Sequence, residues 1–219
     1  MADLIRVGKH GGNDMRCVAY DFDSTLAHFI GGREGLFQYF TEHGVAHTTI
    51  KEAYEATKQQ GFSIRKLIAH LRELGFDSFD PSDAETAFNT WLASSLRAYP
   101  DALPSIASLK AAGIPTAAIT YGDPAYQARK MGILGVACDR TFLVGAREGK
   151  PDAIRKLIAE CGTPVAYIDN KASELDRIRD AFPGNAVMTI RIRREDDPYR
   201  NEHARHHHQE ITNLAAIVP

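Results

Sequence analysis

The sequence predicts an α/β fold: a parallel sheet covered by helices on both faces, with a helical segment inserted after the first strand. Three observations carry this. From Leu103 onward, short apolar runs alternate with helix-like stretches, and such alternation builds a parallel sheet with right-handed crossovers. The first apolar run, Cys17-Val18-Ala19-Tyr20, ends abruptly at Asp21-Phe22-Asp23, as a buried strand with a charged carboxyl tip does. Finally, 94 residues lie between Thr25 and Thr120, whereas a simple βαβ unit takes roughly 30, which leaves about 60 to be housed elsewhere.

The surplus reads as helix. Gly31-Gly32-Arg33-Glu34-Gly35 lacks the lysine-containing ending of a phosphate-binding loop and the strand that must precede one, so it is expected to be a turn into the insertion. Ile64, Leu67, Ile68, Leu71 and Leu74 follow helical spacing behind Ser63 as N-cap, and Ser82-Asp83-Ala84-Glu85 has the form of a capping box before Phe88, Trp91, Leu92 and Leu96. The main fold then resumes. A helix through Leu103, Ile106 and Leu109 stops at Gly113, and a strand follows over Ile114 to Thr120. Next come a helix over Ala125 to Met131, a strand over Thr141 to Val144, and a helix through Ile154, Leu157 and Ile158 that stops at Gly162. Val165 to Asp169 is a strand, Leu175 to Ala181 a helix ending before Pro183, and Ala186 to Ile192 the last core strand. The expected division is a core domain of residues 1–30 and 99–219 and an inserted domain of residues 31–98.

Composition excludes several classes without naming a partner. With 44% hydrophobic and 25% charged residues among 219, the chain is globular rather than disordered. A formal net charge of −2 supplies no field for nucleic acid or an anionic membrane. The run Arg191-Ile192-Arg193-Arg194 is followed at once by Glu195-Asp196-Asp197 and reads as mixed surface. Cys17, Cys138 and Cys161 are an odd number with no CxxC pair, which suits a reduced, cytoplasmic compartment better than a disulfide framework. No apolar run approaches the roughly 18 residues of a membrane span. His203 and His206-His207-His208 read as a solvated loop, since consecutive residues do not share a face.

In open parallel sheets, ligands bind beyond the carboxyl ends of the strands. The predicted elements bring Asp21 and Asp23, Thr120, and Asp169 to such ends, with Lys150-Pro151 opening the helix before the Asp169 strand. Singly these are ordinary residues: a turn acid, a strand-end threonine, a lysine before an N1 proline. Together, three crowded carboxylates call for a divalent cation, and a small set of acidic oxygens suits Mg²⁺, which keeps waters and accepts phosphate oxygens. A lysine and a hydroxyl beside that ion favour a phosphoryl group.

The segment Asp21-Phe22-Asp23-Ser24-Thr25-Leu26 resembles the DxDxT nucleophile motif of the haloacid dehalogenase superfamily, and Thr120, Lys150-Pro151 and Asp169-Asn170 resemble its second, third and fourth motifs in order. The resemblance implies a Rossmann-like core with a helical cap, and a Mg²⁺-dependent phosphatase acting on a small phosphorylated metabolite. It implies further that Asp21 is the nucleophile and Asp23 the acid and base. Thr120, with the amides of Tyr121 or Gly122, and Lys150 would hold the phosphate, while Asp21, Asp23 and Asp169 would hold the metal. Family members that cleave carbon–halogen bonds lack an acid at the Asp23 position, so Asp23 favours phosphoryl transfer; a phosphomutase, a dehalogenase or a non-catalytic binding module are the alternatives. Two departures stand out: Ser24 occupies a position where glycine is commonest, and the fourth motif continues as Asp169-Asn170 with Glu174 rather than as paired aspartates. Glu174 either holds a metal-bound water or faces solvent at a helix start.

Overall fold

The computed structural model describes residues 4–7, 15–146 and 148–219. The chain opens with β1 (Ile5–Arg6), β2 (Cys17–Tyr20) and β3 (Ala27–Phe29), then runs through four helices, α1 (Glu34–Glu42), α2 (His47–Gln59), α3 (Ile64–Glu73) and α4 (Pro81–Ser95). It continues as β4 (Leu96–Ala98), α5 (Ala102–Ala111), β5 (Thr116–Tyr121), α6 (Pro124–Leu134), β6 (Arg140–Val144) and α7 (Gly149–Cys161). The remaining elements are β7 (Val165–Asp169), α8 (Ala172–Ala181), β8 (Val187–Ile192), β9 (Gln209–Ile211), a 3₁₀ turn at Leu214–Ala216, and β10 (Ile217–Val218).

One compact unit comprises Met1–His28, Ala98–Thr120 and Val136–Pro219. Its sheet has the order β6-β5-β2-β7-β8-β9, and β5, β2, β7, β8 and β9 run parallel. Alternation along the strands sorts the side chains onto two faces. Cys17 and Ala19, Ala117 and Ile119, Val165 and Tyr167, and Val187 turn to one face, where Ile154 and Leu157 of α7 and Leu175 and Ile178 of α8 close the core. Each such large buried side chain stabilises the fold by about 1.5–3 kcal/mol. The other face is covered too: the Tyr20 hydroxyl meets Ser105 Oγ of α5 at 3.3 Å. The parallel sheet with helices on both faces is therefore as the alternating pattern predicts.

The second unit comprises Phe29–Arg97 and Tyr121–Gly135. The helical spacing at Leu67, Ile68 and Leu71 places all three in its core with Phe37, Phe40, Phe88 and Leu92. Residues 121–135, which the sequence reading assigns to the other domain, group here because Tyr126 of α6 packs edge-on to Phe62 (5.3 Å) and beside Phe88 (5.7 Å). Ser63 caps α3 by accepting from the Lys66 amide. The cap of α4 lies two residues before the expected Ser82: Asp80 accepts from the Ser82 and Asp83 amides, and Pro81, with its preset φ, opens the helix.

Three expectations about the last fifty residues need correction. Arg191, Arg194 and Asp197 are not a charged surface; all three are buried, because loops returning to the sheet supply them with partners. His208 is buried as well, between Thr189 Oγ1 at 2.8 Å and Asp176 Oδ1 at 3.1 Å, while His206 meets Asp180 at 2.7 Å. And β9, too short to show a period, adds a strand after the one expected to be last. Among the described residues no helix is long and apolar enough to cross a membrane, and none of the three cysteines is in a disulfide.

Candidate active site

Strand β2 lies between β5 and β7, from which the sheet grows outward in opposite directions. Such a switch point opens a crevice at the carboxyl edge. Tyr20 pairs with Ile168, and the Asp21 amide donates to the Ile168 carbonyl at 2.8 Å, so Asp21 and Asp169 are neighbours at adjacent strand tips. Both continue the face of Ala19 and Tyr167, against which α7 packs. Lys150 is in the first turn of α7, and the start of that helix lies close to β6: a Cβ on Gly149 would stand 3.2 Å from Val144 Cβ. The outcome is a buried bridge. Lys150 Nζ donates to Asp21 Oδ1 at 2.9 Å and to Asp169 Oδ2 at 2.8 Å. Asp169 also accepts from the Tyr167 hydroxyl at 2.6 Å and from the Lys171 amide at 2.9 Å.

One ammonium faces several acids here. Burial, and next the charge of Asp169, push Asp21 up to about 7 in spite of Lys150, and Asp23 adds to the rise. Burial pulls the Lys150 ammonium down, yet Asp169 and Asp21 outweigh it and hold the group well above the usual lysine value. Burial and then Asp169 raise the Tyr167 hydroxyl, which keeps it a donor. The rise of Asp21 in spite of Lys150 marks a carboxylate whose charge is under-compensated where it is buried, the condition that a further cation relieves. Among the described residues no group of three His, Cys, Asp or Glu side chains is placed to hold a metal ion, so Asp21, Asp23 and Asp169 do not form the three-carboxylate set that the sequence suggests. Two carboxylates with backbone oxygens and water nevertheless match Mg²⁺, which rarely uses an all-protein cage, so the donor set fits that ion.

The loop after Asp21 is fixed by its own backbone. The Phe22 carbonyl accepts from the amides of Thr25 (3.3 Å), Leu26 (2.9 Å) and Ala27 (3.1 Å), and the Ser24 amide donates to the Ala27 carbonyl at 2.7 Å. Closing this turn puts Ser24 at φ 59°, in the left-handed region. That conformation accounts for the glycine common in the motif that this segment resembles. Asp23 sits half-buried in the same turn.

Thr120 is buried at the carboxyl edge of β5, two residues beyond the Ala118 that pairs with Tyr20. Tyr121 and Gly122 belong to the second unit, where the Tyr121 hydroxyl donates to the Gln59 carbonyl at 2.9 Å and Gln127 Nε2 donates to the Tyr121 carbonyl at 2.9 Å. Of the expected site residues, then, the structure joins Asp21, Lys150 and Asp169 directly and sets Asp23 beside Asp21. Glu174 does not face solvent; it is buried and accepts from Arg177 Nη1 at 2.7 Å. Asn170 donates to Asp197 Oδ1 at 2.8 Å. Sequence reasoning missed Tyr167, although its place two residues before Asp169 on one strand was a usable signal. It also missed Arg194 and Asp197, for which the local sequence carries none.

The model of the haloacid dehalogenase-like hydrolases matches residues 15–174. No curated protein matches the chain. Among solved structures, a haloacid dehalogenase-like family hydrolase from Xanthomonas campestris is similar at TM-score 0.64 and 14% identity, covering 98% of this chain and 92% of that one. An L-2-haloacid dehalogenase is similar at TM-score 0.65 and 18% identity, covering 92% and 96%. A hydrolase from Deinococcus radiodurans with bound phosphate and sodium is similar at TM-score 0.58 and 18% identity, covering 92% of each chain.

Proposed function

Since the chain belongs to the haloacid dehalogenase-like hydrolases, we propose that it hydrolyses a small phosphorylated metabolite through an aspartyl-phosphate on Asp21. The observation that carries this reading is the second acid, Asp23, beside Asp21 in a turn held by three backbone amides that donate hydrogen bonds to one carbonyl. A halide departs without a proton, whereas the ester oxygen of a phosphate monoester must receive one. Asp23 is the group to give it.

An Asp21 oxygen attacks phosphorus while the bond to the ester oxygen breaks, and the proton of Asp23 goes to that oxygen. Asp23, now ionised, takes a proton from water as its oxygen attacks phosphorus, releasing inorganic phosphate and restoring Asp21. Lys150, already bonded to Asp21 at 2.9 Å, keeps the nucleophile oriented and offsets charge on the phosphoryl oxygens. Thr120, buried at the carboxyl edge of β5, is the further phosphate donor. Mg²⁺, held by Asp21, Asp169 and the Asp23 carbonyl, would neutralise developing negative charge on the transferred group.

The test compares phosphate release from a phosphomonoester panel in Mg²⁺ with halide release from 2-haloacids. Phosphate release that stops on chelation and on Asp23→Asn supports the proposal. Halide release without phosphate release means that the chain is a dehalogenase, and sugar-bisphosphate dependence means a mutase.

A further inference from the structure

We propose that the segment Arg194 to Asp197, immediately after β8, positions both acid-bearing loops of the site, Arg194 acting on the loop after Asp21 and Asp197 on the loop after Asp169. This rests on the reading of Asp21 and Asp23 as the reacting acids. The guanidinium of Arg194 makes a bidentate pair with Asp101, Nη1 to Oδ2 at 2.7 Å and Nη2 to Oδ1 at 2.9 Å. Its Nη2 also donates to the Thr25 carbonyl at 2.9 Å. The group lies 4.0 Å over the ring of Tyr99, whose amide donates to the Leu26 carbonyl at 3.0 Å. The turn that presents Asp23 is therefore gripped at two successive carbonyls from outside itself.

The next acids extend the grip. Asp196 accepts from the Tyr99 hydroxyl at 2.6 Å and meets His28 Nδ1 at 2.7 Å, and His28 stacks on Tyr99 with ring centroids 4.4 Å apart. Asp197 Oδ1 accepts from Asn170 Nδ2 at 2.8 Å and from the Tyr199 amide at 3.0 Å. Within four residues, one segment reaches the chain four positions after Asp21 and one position after Asp169. Tethering the C-terminal region alone would need neither contact. A planar five-donor fork can serve a carboxylate and a carbonyl together; an ammonium on a flexible stem cannot hold that geometry.

The test measures kcat and KM for p-nitrophenyl phosphate with Mg²⁺ in Arg194→Lys and Asp197→Ala, at a temperature well below each Tm. Arg205→Ala serves as control, because Arg205 is exposed and pairs with Asp180 away from both loops. Misplacing a reacting acid without removing it is expected to lower kcat roughly ten- to a hundredfold, with KM within about threefold. Hydrogen exchange at the Asp23–Leu26 amides is expected to quicken in Arg194→Lys and stay unchanged in the control. Folded variants with kcat within about twofold of wild type overturn the inference, since the contacts of Arg194 and Asp197 would then serve stability alone. A wild-type protein that turns over no phosphate ester overturns the functional reading and this inference with it; active wild type with unaffected variants overturns this inference alone.

Discussion

Asp21 and Lys150, 129 positions apart in sequence, meet at 2.9 Å inside the fold. The same ammonium separates Asp21 from Asp169. Replacing it by an apolar side chain of similar length leaves two buried carboxylates facing each other, a loss of about 3–5 kcal/mol when one partner of a buried pair is removed. Lys150→Met is expected to lower stability in urea by this amount and to abolish turnover. Unchanged stability would mean that the bridge is not formed in solution.

Ser24 tests the turn that carries Asp23. A left-handed residue other than glycine costs roughly 1–2 kcal/mol, and a β-branched side chain more. Glycine relieves that cost but loses more backbone freedom on folding, so Ser24→Gly is expected to keep turnover and melting temperature, while Ser24→Val loses both. A valine variant as stable as wild type contradicts the φ of 59°.

Gly35 sets two effects against each other. It stands inside α1, where alanine is favoured over glycine by about 1 kcal/mol. A Cβ there, however, would lie 2.5 Å from Trp91 Cδ1, and Trp91 is stacked on Phe29 at 5.0 Å and beside Phe88 at 5.7 Å. Overpacking of this kind typically costs 1–3 kcal/mol, roughly, so it prevails. Gly35→Ala is expected to destabilise the protein and shift the emission of Trp91, the only tryptophan in the chain.

His208 gives stability a pH dependence of known sign. Burial pushes its pKa below the ordinary value, and Asp176 only partly restores it. For Asp176, burial would raise the pKa, but the amides of Arg205 and His206, with His208, hold it low. The unfolded chain therefore protonates at position 208 before the folded one, and stability falls as pH drops below about 6.5. Asp176 contributes in the same direction only at much lower pH. Between about pH 7.5 and 5.5, wild type is expected to lose more melting temperature than His208→Gln; equal losses would remove His208 from the account.

Much of the fold was legible because its elements are long and strongly patterned. The apolar run ending at Asp21 and the spacing of Leu67 and Leu71 each report burial directly. The site was legible where chemistry sits at a strand tip, as at Asp21 and Asp169, or opens a helix, as at Lys150. What escaped depends on tertiary returns. Arg194 and Asp197 look like solvated charges in their local sequence and become buried only because Asp101, Thr25 and Asn170 are brought to them. Tyr126 joined the second unit through Phe62 and Phe88, contacts between segments that no local period connects.

The most direct test of the central claim is a single turnover of a phosphomonoester with Mg²⁺ in ¹⁸O-labelled water, with enzyme in excess, followed by mass analysis of the phosphate and of the peptide containing Asp21. A transient phosphoryl group on Asp21 and the label in inorganic phosphate are expected, with the Asp21 carboxylate unlabelled. Phosphate release with no Asp21 adduct and undiminished turnover in Asp21→Asn would contradict the central claim, as would label entering the Asp21 carboxylate during halide release from a 2-haloacid.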